Sequence, residues 1–142
     1  MSIKIYYDKI KFRIHRTGEI KKFLEKVITE EKRIPGDLKF IFTNDVALQD
    51  INGEFLKHMY YTDIISFDYS DRNVINGELY ISAEALRRNA IIYKAGIREE
   101  LLRVMIHGVL HLCGYDDNNR RNRDLMFSLQ EKRLKEFQNL CE

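Results

Sequence analysis

The chain has 142 residues and a nearly balanced charge, 24 Lys and Arg against 22 Asp and Glu for a formal net charge of +2. That length suits one domain, taken as residues 1–142, able to bury about two thirds of its unfolded surface. No apolar run approaches the ~20 residues of a membrane span, and the opening Met1-Ser2-Ile3-Lys4-Ile5-Tyr6-Tyr7 lacks the apolar core of a secretory leader. The two cysteines, Cys113 and Cys141, give no disulfide framework. These features argue against a membrane protein and a disulfide-built secreted domain, so a cytoplasmic address is expected.

Alternation at Ile3, Ile5 and Tyr7 predicts an opening strand, with a partner around Phe12 to Ile14. Thr17 is placed to cap a helix through about Arg33, with Ile20, Phe23, Leu24, Val27 and Ile28 on its buried stripe, and Pro35-Gly36 to stop it. Leu38 to Thr43 has the β-branched and aromatic content of a strand. Asn44 then caps a helix carrying Val46, Leu48, Ile51, Phe55 and Leu56. Thr62 to Tyr69 and Val74 to Ser82 read as a hairpin joined by the turn-prone Ser70-Asp71-Arg72-Asn73. Ser82 caps a helix over Glu84 to Lys94, and Gly96 separates it from a helix over about Ile97 to Cys113. That helix is apolar nearly all round and should be central and buried. A last helix, about Asn122 to Leu140, brings Leu125, Met126, Leu129, Leu134 and Phe137 against the rest. The order predicts an α+β single domain with a small mixed sheet of about four strands covered by helices.

Charge is unevenly spread. Met1 to Lys22 holds Lys4, Lys9, Lys11, Arg13, Arg16, Lys21 and Lys22 against Asp8 and Glu19. A second basic group, Arg120, Arg121, Arg123, Lys132, Arg133 and Lys135, stands against Asp124 and Glu131. Between Asn44 and Glu84 eight carboxylates face Lys57 and Arg72. The pattern is compatible with a polyanion on basic flanks around an acidic, metal-holding centre, and equally with solvated helix faces.

The chemistry concentrates in His107-Gly108-Val109-Leu110-His111-Leu112-Cys113-Gly114-Tyr115-Asp116-Asp117. Two histidines at i and i+4 project from one helix face, Gly114 can turn the chain back, and a carboxylate at Asp117 can close a three-ligand metal site. Three ligands with an open position is the arrangement of a catalytic zinc. Asp116 is the competing third ligand. Glu100 and Arg103 fall on the histidine face and are candidates for orienting the rings. Cys113, about 200° around the helix from His111, should be a buried thiol facing away from the metal. Position 108 is glycine where zinc proteases carry a glutamate general base, which disfavours a zinc peptidase.

This stretch resembles the H-G-x-L-H-L-x-G-Y-D-H signature of the YbeY endoribonuclease and rRNA maturation factor family, departing only at the last position. Leu48 to Asn52 with Tyr61 to Phe67, and Gly77-Glu78-Leu79-Tyr80-Ile81-Ser82, are similar to two further family segments, so the resemblance runs from about Leu38 to Met126. It implies a bacterial cytoplasmic, zinc-dependent endoribonuclease acting on single-stranded RNA, in small-subunit rRNA 3′-end maturation and ribosome quality control. The implied partners are rRNA and the small ribosomal subunit, with no DNA or membrane. By the same resemblance His107 and His111 take the first two zinc-ligand roles, and Asp117 stands where the family has a third histidine. One Zn2+ per chain is expected, and the carboxylate broadens tolerance toward another divalent metal. The family's catalytic arginine has Leu56 near its place, with Lys57 and His58 following, so no catalytic residue is assigned. Metal-assisted phosphodiester cleavage, with Asp116 or a substrate 2′-OH handling a proton, is one expected function. A ribosome-assembly binding factor with a mainly structural metal is the rival.

Overall fold

The computed structural model describes residues 2–53 and 63–140. The elements run β1 (Ser2–Tyr7), α1 (Thr17–Glu30), β2 (Ile34–Thr43), α2 (Asp45–Ile51), β3 (Ile64–Asp68), β4 (Val74–Ser82), α3 (Ala83–Ile92), α4 (Ile97–Leu112) and α5 (Arg120–Leu140). Phe55, Leu56, Tyr61, Thr62 and Cys141 lie outside the described residues, so the expected continuations of α2 and β3 are not addressed.

The strands form one mixed sheet in the order β1-β2-β4-β3. β1 pairs parallel with β2, as Ile5 with Phe40, and β2 pairs parallel with β4, as Phe40 with Leu79. The hairpin strand β3 runs antiparallel to β4, as Ser66 with Leu79. This is the expected α+β domain with a four-stranded mixed sheet. The expected partner of β1 at Phe12 to Ile14 is not a strand. Parallel pairing through the α1 crossover satisfies the inner edge of β1 instead, and Phe12 packs its ring against Phe42.

Several boundaries move for one reason. α1 ends at Glu30, not Arg33, because Lys32 takes a left-handed conformation (φ 64°) and Arg33 N–H donates to Ile28 O at 3.1 Å. α3 ends in the same way at Lys94 (φ 53°), with Ala95 N–H donating to Ala90 O at 2.9 Å. Both are Schellman closures, which usually carry glycine at the left-handed position. Pro35-Gly36 therefore does not stop α1; it lies within β2, where the register with β4 shifts between Pro35 and Leu38. Thr17 is the first helical residue, preceded by a left-handed Arg16 with no side-chain cap. The other two predicted caps hold: Asn44 accepts from Ala47 N–H at 2.9 Å and Ser82 from Ala85 N–H at 3.0 Å.

α4 packs against α1, α3, α5, β3 and β4. Its Leu101, Leu102, Val104, Met105, Ile106, Val109, Leu110 and Leu112 are all buried, as the all-round apolar sequence predicts. Each contributes on the order of 1.5–3 kcal/mol of burial before entropy is subtracted. The sheet side of the helix is held close by Gly108, where a Cβ would lie 2.3 Å from Leu79 Cδ2 and 2.9 Å from Ile64 Cδ1. α5 contributes Met126, Leu134 and Phe137 to the core, while Leu125 is half exposed and does not join it. Among the described residues no helix is long and apolar enough to cross a membrane.

Candidate functional site

The two histidines occupy the last turns of α4, where the helix meets solvent. His107 Nδ1 stands 2.9 Å from Gln130 Oε1 of α5, and His111 Nδ1 stands 3.1 Å from the Tyr115 carbonyl oxygen. A carbonyl oxygen only accepts, so each ring donates from Nδ1, and in the neutral imidazole the Nε2 lone pair is then the one available to an ion. That is the arrangement in which metal-ligating histidines are held: one nitrogen fixed by an oxygen, the other presented to the ion.

The turn that supplies the Tyr115 carbonyl is built locally. Gly114 adopts φ 109°, its N–H donates to His111 O, and Tyr115 N–H donates to Leu110 O. Tyr115 is then pinned to the end of α1, its hydroxyl donating to Glu31 Oε1 at 2.6 Å. Arg133 of α5 donates to Glu31 Oε2 at 2.6 Å and also pairs with Glu30. Burial works against the Glu31 carboxylate, but the Tyr115 and Arg133 hydrogen bonds hold its carboxyl below the ordinary range. Arg33 closes the turn from the other side, donating to Cys113 O at 3.1 Å. Cys113 itself is buried, as expected, and burial pushes its thiol up to about 11.

Beyond the turn, Asp117 reaches back so that its Oδ2 lies 3.8 Å from His107 Nε2, with its side chain 52% exposed. Two ligands on one tetrahedral zinc, with bonds of ~2.0–2.2 Å, stand about 3.4 Å apart, so this pair is within a few tenths of an ångström of a shared ion. Among the described residues, however, no three His, Cys, Asp or Glu side chains are assembled as a metal-holding group. The donor chemistry of the imidazoles thus fits a divalent ion, and the third arm is a carboxylate on an exposed turn. Asp116 is exposed on the same turn. Lys57 and His58, considered in place of the family's arginine, lie outside the described residues.

His107 also borders a groove of about 380 Å³ whose floor is α4 and whose walls come from α3 and α5, with Asp63 and Ile64 at the β3 end. Glu100 and Arg103 lie here, as their helical register requires, but do not orient the rings. Arg103 instead forks onto Glu131, Nε at 2.8 Å and Nη2 at 3.0 Å, and donates through Nη1 to Glu100 Oε2 at 3.2 Å. Glu100 is 3% exposed, and burial pushes its carboxyl up against the opposing pull of Arg103. The residues that do orient the rings, Gln130 and the Tyr115 carbonyl, have no signal of their own in sequence: one is 23 positions away and the other is main chain.

The basic flanks are only partly free for a polyanion. Arg133 is buried among Glu30, Glu31 and Glu136, and Arg13 lies over the Tyr7 ring while donating to the Ile10 and Phe12 carbonyls. Arg120, Arg121, Arg123, Lys132 and Lys135 are exposed on α5.

Comparison with known proteins identifies the family. Residues 3–138 match the family described as Endoribonuclease YbeY. A protein of that name from Christiangramia forsetii is 39% identical over 132 residues, 93% of this chain and 92% of its own length. Another from Flavobacterium psychrophilum is 43% identical over 128 residues, 90% of this chain and 91% of its own length. The solution structure of TM1509 from Thermotoga maritima superposes with a TM-score of 0.66 at 26% identity, covering 96% of this chain and 89% of that one. Matching that family across nearly its whole length, with relatives 39% and 43% identical, the chain belongs to the YbeY endoribonuclease family.

Proposed function

We propose that this protein is a metal-dependent endoribonuclease, specific for single-stranded RNA, that acts in rRNA processing at the small-subunit 3′ end and in ribosome quality control in the cytoplasm. Membership of a family whose relatives carry the name endoribonuclease supports the reaction. The observation that carries the metal is the imidazole pair, each ring tied at Nδ1 to an oxygen, with Asp117 Oδ2 3.8 Å from His107 Nε2. His107 and His111 would hold one zinc ion with Asp117 as third ligand. The ion would supply Lewis acidity at a phosphate oxygen and a readily deprotonated water.

The chain's own residues set the remaining steps. Gln130 and the Tyr115 carbonyl fix the ring orientation, so little reorganisation is needed when the metal arrives. Asp116, exposed and next in sequence to the third ligand, or a substrate 2′-OH would handle a proton. Arg120, Arg121 and Arg123 are exposed at the start of α5, close in sequence to the turn, and can hold the RNA backbone without reading its sequence.

The ribosome-assembly reading keeps one specific observation in its favour, the exposed and incompletely drawn-in Asp117. A peptidase is opposed by packing as well as by sequence, since position 108 faces Leu79 and Ile64 of the sheet. The test is cleavage of an unstructured RNA and its duplex by purified protein, with chelator, zinc restoration and His111→Ala. Single-strand cleavage that is lost with chelator, regained with zinc and absent in His111→Ala is expected. Undiminished cleavage by His111→Ala would overturn the metal mechanism, and metal binding without cleavage would favour the assembly factor.

A further inference from the structure

The groove beside His107 has a composition that the metal centre does not use. Tyr93, at the end of α3, and Phe127, on α5, line it while remaining 67% and 59% exposed. Among the described residues they are two of several large apolar side chains left exposed, and the two aromatic ones that line this groove. The floor between them carries Glu100, 3% exposed, with Oε2 bonded to Arg103 and Oε1 without a hydrogen-bond partner among the described residues. Among the described residues that line it, Asp63 and Glu131 add two further carboxylates beside the guanidinium of Arg103. Glu100 Oε1 is not one of the buried polar atoms left without a partner, so solvent reaches it, while burial of the rest of the side chain pushes Glu100 up. A ligand bringing N–H donors between two aromatic faces would complete the site.

The geometry points to a nucleobase subsite: Tyr93 and Phe127 hold a flipped-out base of single-stranded RNA, and Glu100 reads its donor edge, favouring guanine. This rests on the endoribonuclease reading and deepens it. The acidic floor repels phosphate, so the sugar–phosphate chain stays outside while the base enters. Guanine alone presents two adjacent donors, N1–H and the N2 amine, which can meet Oε1 and the second lone pair of Oε2, whose first is taken by Arg103. Adenine and cytosine offer one amine beside an acceptor, and uracil offers an imino N–H between two carbonyls. Stacking on Tyr93 and Phe127 serves every base, because every base has a π face. The groove volume, about 380 Å³, is on the scale of a small-ligand pocket. It ends at His107, so a base held there places its neighbouring phosphate near the paired imidazoles.

The experiment is binding of GMP, AMP, CMP and UMP to the metal-loaded full chain by NMR titration, alongside mapping of cut sites in a mixed-sequence single-stranded RNA. GMP should bind on the order of tenfold more tightly than UMP, the discrimination of one good donor–acceptor pair. Glu100→Gln should move the preference from GMP toward AMP, because an amide pairs with adenine. Tyr93→Ala and Phe127→Ala change exposed side chains and should weaken all four nucleotides by about tenfold, leaving their ratios in place. Equal affinity for GMP and UMP, or ratios unmoved by Glu100→Gln in a folded protein, would overturn the subsite. Cleavage without base bias would do so while leaving the endoribonuclease reading intact. Base-selective binding without cleavage would do the reverse.

Discussion

Gly108→Ala tests why the histidine helix lies where it does. The added methyl would start 2.3 Å from Leu79 Cδ2 and 2.9 Å from Ile64 Cδ1, whereas carbon atoms settle at about 3.5–4.0 Å. Leu79 is fully buried, so its methyl must retreat by more than about 1 Å into a packed core. Overpacking of this kind costs roughly 1–3 kcal/mol, and the better helix propensity of alanine returns about 1 kcal/mol. The net is a loss of about 1 kcal/mol, a fall in Tm of roughly 4 °C for a chain of this size. Urea unfolding with a fixed slope, checked by thermal melting, measures it. Gly108→Glu, which would install the glutamate of a zinc peptidase, adds a carboxylate facing two apolar side chains and should cost more than about 4 kcal/mol. A Gly108→Ala protein as stable as wild type, or more so, would refute the close helix–sheet approach as the reason for glycine.

Four further expectations follow from single contacts. Lys94→Gly relieves a left-handed lysine at the end of α3 (φ 53°) and should raise stability by about 1 kcal/mol in urea unfolding. Gln130→Ala leaves His107 Nδ1 without its acceptor and should weaken zinc binding by roughly 10- to 100-fold, measured by chelator competition. Glu31 is held below its unfolded-state value by Tyr115 and Arg133, so its stabilisation is full above the ordinary carboxylate range and is lost as pH falls through the lowered folded value. Tyr115→Phe should therefore cost about 1 kcal/mol at neutral pH and reduce the loss of stability on acidification. With burial pushing it up to about 11, the Cys113 thiol should stay unreactive toward an alkylating reagent at neutral pH until urea unfolds the chain, as peptide mapping of labelled sites would show.

The parts of the fold written in short-range patterns were legible. The all-round apolar sequence of α4 and the caps at Asn44 and Ser82 rest on neighbours within a few residues, and the hairpin of β3 and β4 on pairs no more than 17 apart, such as Ile64 with Ile81. What the sequence concealed was either tertiary or conformationally unusual. The β1 pairing depends on residues more than 30 positions away, and the ends of α1 and α3 depend on lysines adopting the conformation expected of glycine. Within the site, His107, His111 and the Gly114 turn were readable from spacing. Gln130 came from the facing helix and the Tyr115 carbonyl from a backbone fold, so neither had a side-chain pattern to announce it. Arg133 shows the converse: it reads as part of a free basic flank, but three glutamates surround it.

The most direct measurement is zinc per chain, by elemental analysis, in purified wild type beside His107→Ala and Asp117→Ala. About one zinc in wild type, lost with His107→Ala and strongly reduced with Asp117→Ala, is the predicted result. A well-folded wild type that takes up no metal when zinc is supplied would contradict the proposed centre.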